Sequence, residues 1–77
     1  MPKFYFHLIA LNSRHEDLVG SDFGDVEAAL GHAERLARDI KIREILPDHI
    51  PDGRRIEVTA PGKGTVAVVH FHDILSG

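Results

Sequence analysis

The sequence predicts an α+β domain in the order β-β-α-β-β, a mostly antiparallel four-stranded sheet with one helix packed on one face. Three observations predict it. Val26, Ala29, Leu30, Ala33, Leu36, Ala37 and Ile40 recur at the three-then-four spacing of a buried helical stripe. Before that stripe, Phe4-Tyr5-Phe6-His7-Leu8-Ile9 has the aromatic and β-branched character of a strand. After it, Arg54–Thr59 and Thr65–Phe71 flank Pro61-Gly62, which suits the centre of a type II turn because Pro fixes the first φ and Gly accepts a positive second one.

The first strand is expected over Lys3–Ala10. Successive side chains on a strand point to opposite faces, so Phe4, Phe6 and Leu8 share one face and Tyr5, His7 and Ile9 the other. Phe4 and Phe6 are the expected core residues, because His7 marks the opposite face as tolerant of polarity. Asn12–Asp17 is polar and reads as a turn. Leu18-Val19 reads as a brief second strand that Gly20 ends.

Asp25 is placed to cap the helix, its carboxylate accepting a free amide of the first turn. Glu27 adds negative charge near the positive end of the helix dipole. Glu34 with Arg38 and Asp39 with Arg43 are four apart with the acid first, the favourable order on an exposed face. Gly31 lies opposite the apolar stripe, where it costs about 1 kcal/mol relative to alanine; close approach by another chain would account for it. Beyond Ile40 the stripe breaks, and Ile42 and Leu46 fall on the other side of the helix. Pro47–Gly53 reads as a loop. In the closing hairpin, Ile56 and Val58 alternate with Glu57 and Thr59. Ala67, Val69 and Phe71 share one face of the last strand, and Val66, Val68, His70 and His72 the other.

Composition limits the function. With 77 residues, the chain (residues 1–77) is expected to be a single domain whose small core leaves a thin stability margin. There is no cysteine, so neither a disulfide nor a thiolate zinc site is available, which fits a reducing cytoplasm. The opening Met1-Pro2-Lys3-Phe4 lacks the apolar core of a signal peptide, and no apolar run approaches the roughly 18 residues of a membrane span. The expected location is cytoplasmic. A formal charge of −3, with the basic residues scattered, argues against nucleic acid as a partner. Arg54-Arg55, with Lys41 and Arg43 upstream, reads as a solvated strand entry.

Chemistry-bearing patterns are weak. Six histidines is a high count for this length. His70 and His72 are two apart on an expected strand and so share a face, and His7 supplies a third imidazole if the first strand lies beside the last. A partly exposed sheet face accounts for the same histidines, so no metal ligand is assigned, and no cofactor is expected. Histidines at an interface would also titrate near neutral pH and make association pH-sensitive. Asp48-His49-Ile50-Pro51-Asp52 puts two acids beside a histidine in a loop that is expected to face water. Ser13, Ser21 and Ser76 lie outside any Gly-x-Ser-x-Gly elbow. Pro61-Gly62-Lys63-Gly64-Thr65 joins two strands and lacks phosphate-loop spacing. No catalytic residue is assigned.

The run Met1-Pro2-Lys3-Phe4-Tyr5-Phe6-His7, the acidic-glycine segment marked by Asp17 and Gly20, the helix start Asp25-Val26-Glu27-Ala28-Ala29, and Ile56-Glu57-Val58-Thr59 with Gly64 and Phe71 together resemble a small bacterial family of domains of unknown function. The resemblance spans nearly the whole chain and implies the same fold, with no activity to carry over. The chain departs from the pattern at Gly24, where proline is usual, and in its longer Pro47–Gly53 loop. The acidic helix start with paired alanines is also similar to HicB-type antitoxins, which would imply a module that neutralises a small ribonuclease toxin.

The expected function is a non-catalytic binding or regulatory module that self-associates, most simply as a dimer. A sheet of four strands is about 19 Å wide at about 4.8 Å per strand. One helix is only about 10 Å across. The helix-free sheet face and the Ile42–Leu46 segment are the expected contact surfaces.

Overall fold

A computed structural model describes residues 2–43 and 53–74. Strands β1 (Lys3–Ala10), β2 (Ser13–His15) and β3 (Ser21–Asp22) precede helix α1 (Val26–Arg43), and β4 (Arg55–Ala60) and β5 (Gly64–His70) follow it. A short 3-10 turn, Phe71–Asp73, closes the described chain. The strands form one five-stranded antiparallel sheet in the order β2-β1-β4-β5. β3 also pairs with β1, along the same edge as β2 but at its opposite end.

The α+β class, β1 and the stripe of α1 from Ala29 to Ile40 agree with the sequence expectation; Val26, expected to begin that buried stripe, is 39% exposed at the first turn. The one departure in strand count comes from the segment between β1 and α1. Ser13–His15, expected in a turn, pairs with Leu8–Ala10, and Ser21–Asp22 pairs with Lys3–Phe4. Leu18 and Val19, expected as a brief strand, instead occupy the bend between these two pairings and are 84% and 78% exposed.

The helix begins where its cap predicts. Asp25 Oδ1 accepts from the Ala28 amide at 2.8 Å, and the Asp25 carbonyl accepts the first backbone bond, from Ala29. Ala29, Ala33 and Ala37 are fully buried, so the helix axis lies close to the sheet, and Leu30, Leu36 and Ile40 pack beside that contact. Opposite them stand Phe4, Ile56, Val58, Val69 and Phe71. Phe6 is partly buried, completing a cluster in which its ring meets Phe23 at 5.7 Å and His32 at 5.0 Å. Packing through alanines makes this core thin. Phe71 and Val58 are its largest fully buried side chains.

Phe71 does not continue β5 but begins the 3-10 turn, and the residues around it hold that turn in place. Its amide donates to the Arg54 carbonyl at 3.0 Å, and the Arg54 guanidinium lies 4.7 Å from its ring centroid. Lys41 Nζ donates to the carbonyls of Phe71 and Ile74, both at 2.9 Å, adding a cation to the turn's end beside the Ile74 amide, which also donates to the Phe71 carbonyl. Two members of the expected basic cluster, Lys41 and Arg54, are therefore engaged in closing the core.

The β4–β5 hairpin turns as expected. Lys63 donates its amide to the Ala60 carbonyl at 3.1 Å, with Gly62 at φ 77°. Past the turn the register slips. Thr59 faces Thr65 but Val58 faces Ala67, leaving Val66 as the extra residue of a β-bulge. This corrects the expected facing of the last strand: Val66 packs with Ala67 against the core rather than on the helix-free face.

Candidate functional site

The helix-free face of the sheet can be read directly from the registers. Arg14, Ile9, Arg55 and His70 form one cross-strand row, and His7, Glu57 and Val68 form the next. Tyr5, Thr59 and Thr65 form a third. Most of these groups are polar, so this face is not the bare apolar ribbon that strand composition suggests. Ile9, between Arg14 and Arg55 in the first row, is 7% exposed.

Glu57 sits between the same two arginines. Its carboxylate lies 3.0 Å from Arg55 Nη2 and 3.8 Å from Arg14 Nη1, and Arg14 also reaches Glu16 at 3.0 Å. This links β2 to β4 across the face of β1.

The other connected network centres on Asp17. Its Oδ2 accepts from the Phe6 amide at 3.1 Å, and its Oδ1 accepts from the amides of Val19 and Gly20, both at 3.0 Å. Phe6 lies on β1 between the stretch paired with β2 and the stretch paired with β3. The carboxylate thus does for that amide what a neighbouring strand would do. Burial works to raise the Asp17 pKa, but the Gly20, Phe6 and Val19 amides and the nearby His7 outweigh it and hold it below its ordinary value.

His7 is tied into the same network. The Asp17 amide donates to His7 Nδ1 at 3.1 Å, so the ring proton is on Nε2, which donates to Thr59 Oγ1 at 3.0 Å. The Tyr5 ring stacks nearly parallel to the imidazole, with centroids 6.5 Å apart. Gly20 completes the loop at φ 78°, where a Cβ would lie 2.8–2.9 Å from Lys3 and Tyr5 side-chain atoms.

The three-histidine arrangement does not assemble. β4 lies between β1 and β5, so His7 is separated from His70 by a whole strand. His72 is in the 3-10 turn rather than on β5; its ring stands 5.4 Å from that of His70 and its Nε2 lies 3.2 Å from Asp73 Oδ1. Among the described residues no group of three or more His, Cys, Asp or Glu side chains is arranged to hold a metal ion. Ser13 and Ser21 are exposed strand residues on β2 and β3. Leu46, Asp48, His49, Asp52 and Ser76 lie outside the described residues.

The two edges of the sheet differ. On the β1 edge, β2 and β3 are short, and the charged Arg14, Glu16, Asp17 and Asp22 lie on or between them. On the other edge, β5 is seven residues long and has no Lys, Arg, Asp or Glu. The Phe71–Arg54 backbone bond and the β4–β5 register fix which of its amides point inward. Residues 67, 69 and 71 face β4, so the N–H and C=O groups of Val68 and His70 point away from the sheet. No strand among the described residues pairs with that edge.

At the other end of the hairpin, Phe4, Val26, Ala60, Pro61 and Val66 line a groove of about 490 Å³. The bulge that turns Val66 inward gives the groove one wall.

A family model described as a domain of unknown function, DUF6894, matches residues 3–72. The chain belongs to this family. The DUF6894 match extends over every described strand and α1, in keeping with the resemblance drawn from the opening aromatic run, the acidic-glycine segment and the closing hairpin. No curated protein and no solved structure matches the chain. The likeness to HicB-type antitoxins therefore rests only on the β-β-α-β order and the acidic helix start with its paired alanines. No helix among the described residues of this DUF6894 domain is long and apolar enough to cross a membrane.

Four participants in these networks are visible in the sequence without their roles. Asp17 and Gly20 stood out only as an acidic-glycine segment. Glu57 and Thr59 appeared as the polar half of an alternating strand, and only the β1–β4 register brings them to His7.

Proposed function

We propose that this domain is a non-catalytic binding module that self-associates. One contrast carries the reading. Leu11, Leu18, Val19 and Ile42 are 64–91% exposed and Val68 is 41% exposed, while among the described residues only two large side chains, Phe71 and Val58, are fully buried. At about 25 cal/mol per Å² of apolar surface removed from water, covering a few such side chains contributes several kcal/mol. That is a large share of the roughly 4–12 kcal/mol expected for a chain of this length.

The polar networks support the non-catalytic part of the reading. Both Asp17 oxygens accept backbone amides, both His7 nitrogens are bonded, and Glu57 is held by two arginines. Each of these side chains holds strands or a loop together. The helix-free face as a whole is too polar to be the contact surface expected from the sequence; of the exposed aliphatic side chains, Val68 lies on it, at the β5 edge, and Leu46 lies outside the described residues.

Self-association links stability to concentration. Thermal unfolding followed by far-UV circular dichroism is expected to show a Tm that rises between 5 and 500 µM, roughly in step with the logarithm of concentration. A Tm independent of concentration over that range contradicts the proposal.

A further inference from the structure

We propose that β5 is the contact strand, pairing antiparallel with β5 of a second copy to make one continuous sheet across the dimer. The inference rests on the self-associating reading and adds where the two copies meet.

An exposed strand edge is a template for another strand, and proteins that remain monomeric block it with charge, proline, bulges or short length. The two edges of this sheet have been treated differently. The β1 edge is broken into strands of three and two residues, and its free Phe6 amide is occupied by the Asp17 carboxylate. The β5 edge continues past its single bulge through Ala67, Val68, Val69 and His70 without an acidic or basic side chain other than the imidazole. Its outward N–H and C=O groups, those of Val68 and His70, alternate with inward ones in the pattern an incoming antiparallel strand requires.

A second copy fits that edge because an antiparallel pair is its own complement. Around a two-fold axis at Val68, the amide of one Val68 meets the carbonyl of the other and the reverse, so a single unpaired residue type satisfies both. The same axis places the two half-exposed Val68 side chains directly opposite each other on the helix-free face, where they cover one another. No like charges between Gly64 and Val69 oppose the pairing. Edge pairing of this length buries less than the roughly 1,200 Å² of a standard stable interface, so the expected affinity is micromolar.

The test combines residue-specific amide exchange with sedimentation velocity on the whole chain. In the wild type, the Val68 and His70 amides are expected to gain at least 10-fold in protection between 20 µM and 1 mM, while the Ala67 and Val69 amides are protected at both. Val68→Lys, which sets two ammonium groups opposite each other, is expected to weaken association at least 10-fold. Should Val68→Lys fail to fold by circular dichroism, Val68→Pro takes its place with the same expected outcome, because it deletes the outward N–H that a second copy would accept and leaves the bonds to β4 intact. If the wild type dimerises while the Val68 and His70 amides stay open and the Val68 variant keeps its mass, β5 pairing is overturned and self-association stands. A wild type that sediments as a monomer up to 1 mM overturns both.

Discussion

Asp17→Asn tests whether one carboxylate fastens the β2–β3 segment to the sheet. In the native domain three backbone amides donate to it, two of the bonds part-buried and one exposed. Hydrogen bonds to charged groups contribute about 1.5–3 kcal/mol each, and less where water competes. The asparagine amide has one acceptor oxygen, which serves either Phe6 or the Val19–Gly20 pair, and its NH₂ then points at the donors left over. Counting the Phe6 bond near full value and the others well below it, the variant is expected to lose about 2–3 kcal/mol. For a domain of this size that lowers Tm by about 8–24 °C. The chain has no tryptophan, so urea unfolding followed by far-UV circular dichroism is the suitable assay. The pH dependence adds a sign. Because the folded-state pKa of Asp17 lies below its ordinary 3.8, the unfolded chain binds the proton more readily. The wild type's advantage over Asp17→Asn is then fully present above that value and shrinks as pH falls through the lower folded-state one. A loss under 0.5 kcal/mol at pH 7, or an advantage that does not change on acidification, refutes the role assigned to Asp17.

Three further substitutions probe the fold. Gly31→Ala is expected to stabilise the domain by about 0.5–1 kcal/mol, since an added Cβ meets nothing within 4 Å; a loss of stability in urea titration would mean that another surface packs there. Gly20→Ala combines a left-handed backbone with contacts of 2.8–2.9 Å and is expected to cost more than 1 kcal/mol, visible as a lower urea midpoint; an unchanged midpoint contradicts the close packing against Lys3 and Tyr5. Phe71→Ala removes the largest fully buried side chain and is expected to cost about 3–5 kcal/mol, enough to leave a substantial unfolded fraction at 37 °C by circular dichroism. A variant that melts like the wild type would show that the core does not depend on that ring.

What could be read from the sequence followed from periodicity and local turn chemistry. The stripe from Val26 to Ile40 has a period that only a helix satisfies, and Asp25 and Pro61-Gly62 act on their immediate neighbours, so the structure meets those expectations. What could not be read depends on pairing between distant segments. Leu18 and Val19 look like a strand by residue type, but the Asp17 carboxylate engages the Val19 and Gly20 amides and bends the chain there. Val66 alternates with its neighbours in sequence, yet the slip between Val58 and Thr59 moves it to the core side. The histidines share a residue type but not a location, because β4 is inserted between the strands that carry them. The bonding of His7 to Thr59 spans 52 positions and is set by register alone.

Sedimentation equilibrium of the untagged chain at neutral pH and moderate salt weighs the association directly. Between about 10 µM and 1 mM the weight-average mass is expected to climb from near the 8.5 kDa of one copy towards twice that value. A mass fixed at 8.5 kDa across the whole range would show that the thin alanine-packed core is sufficient alone and that its exposed aliphatic side chains need no second copy.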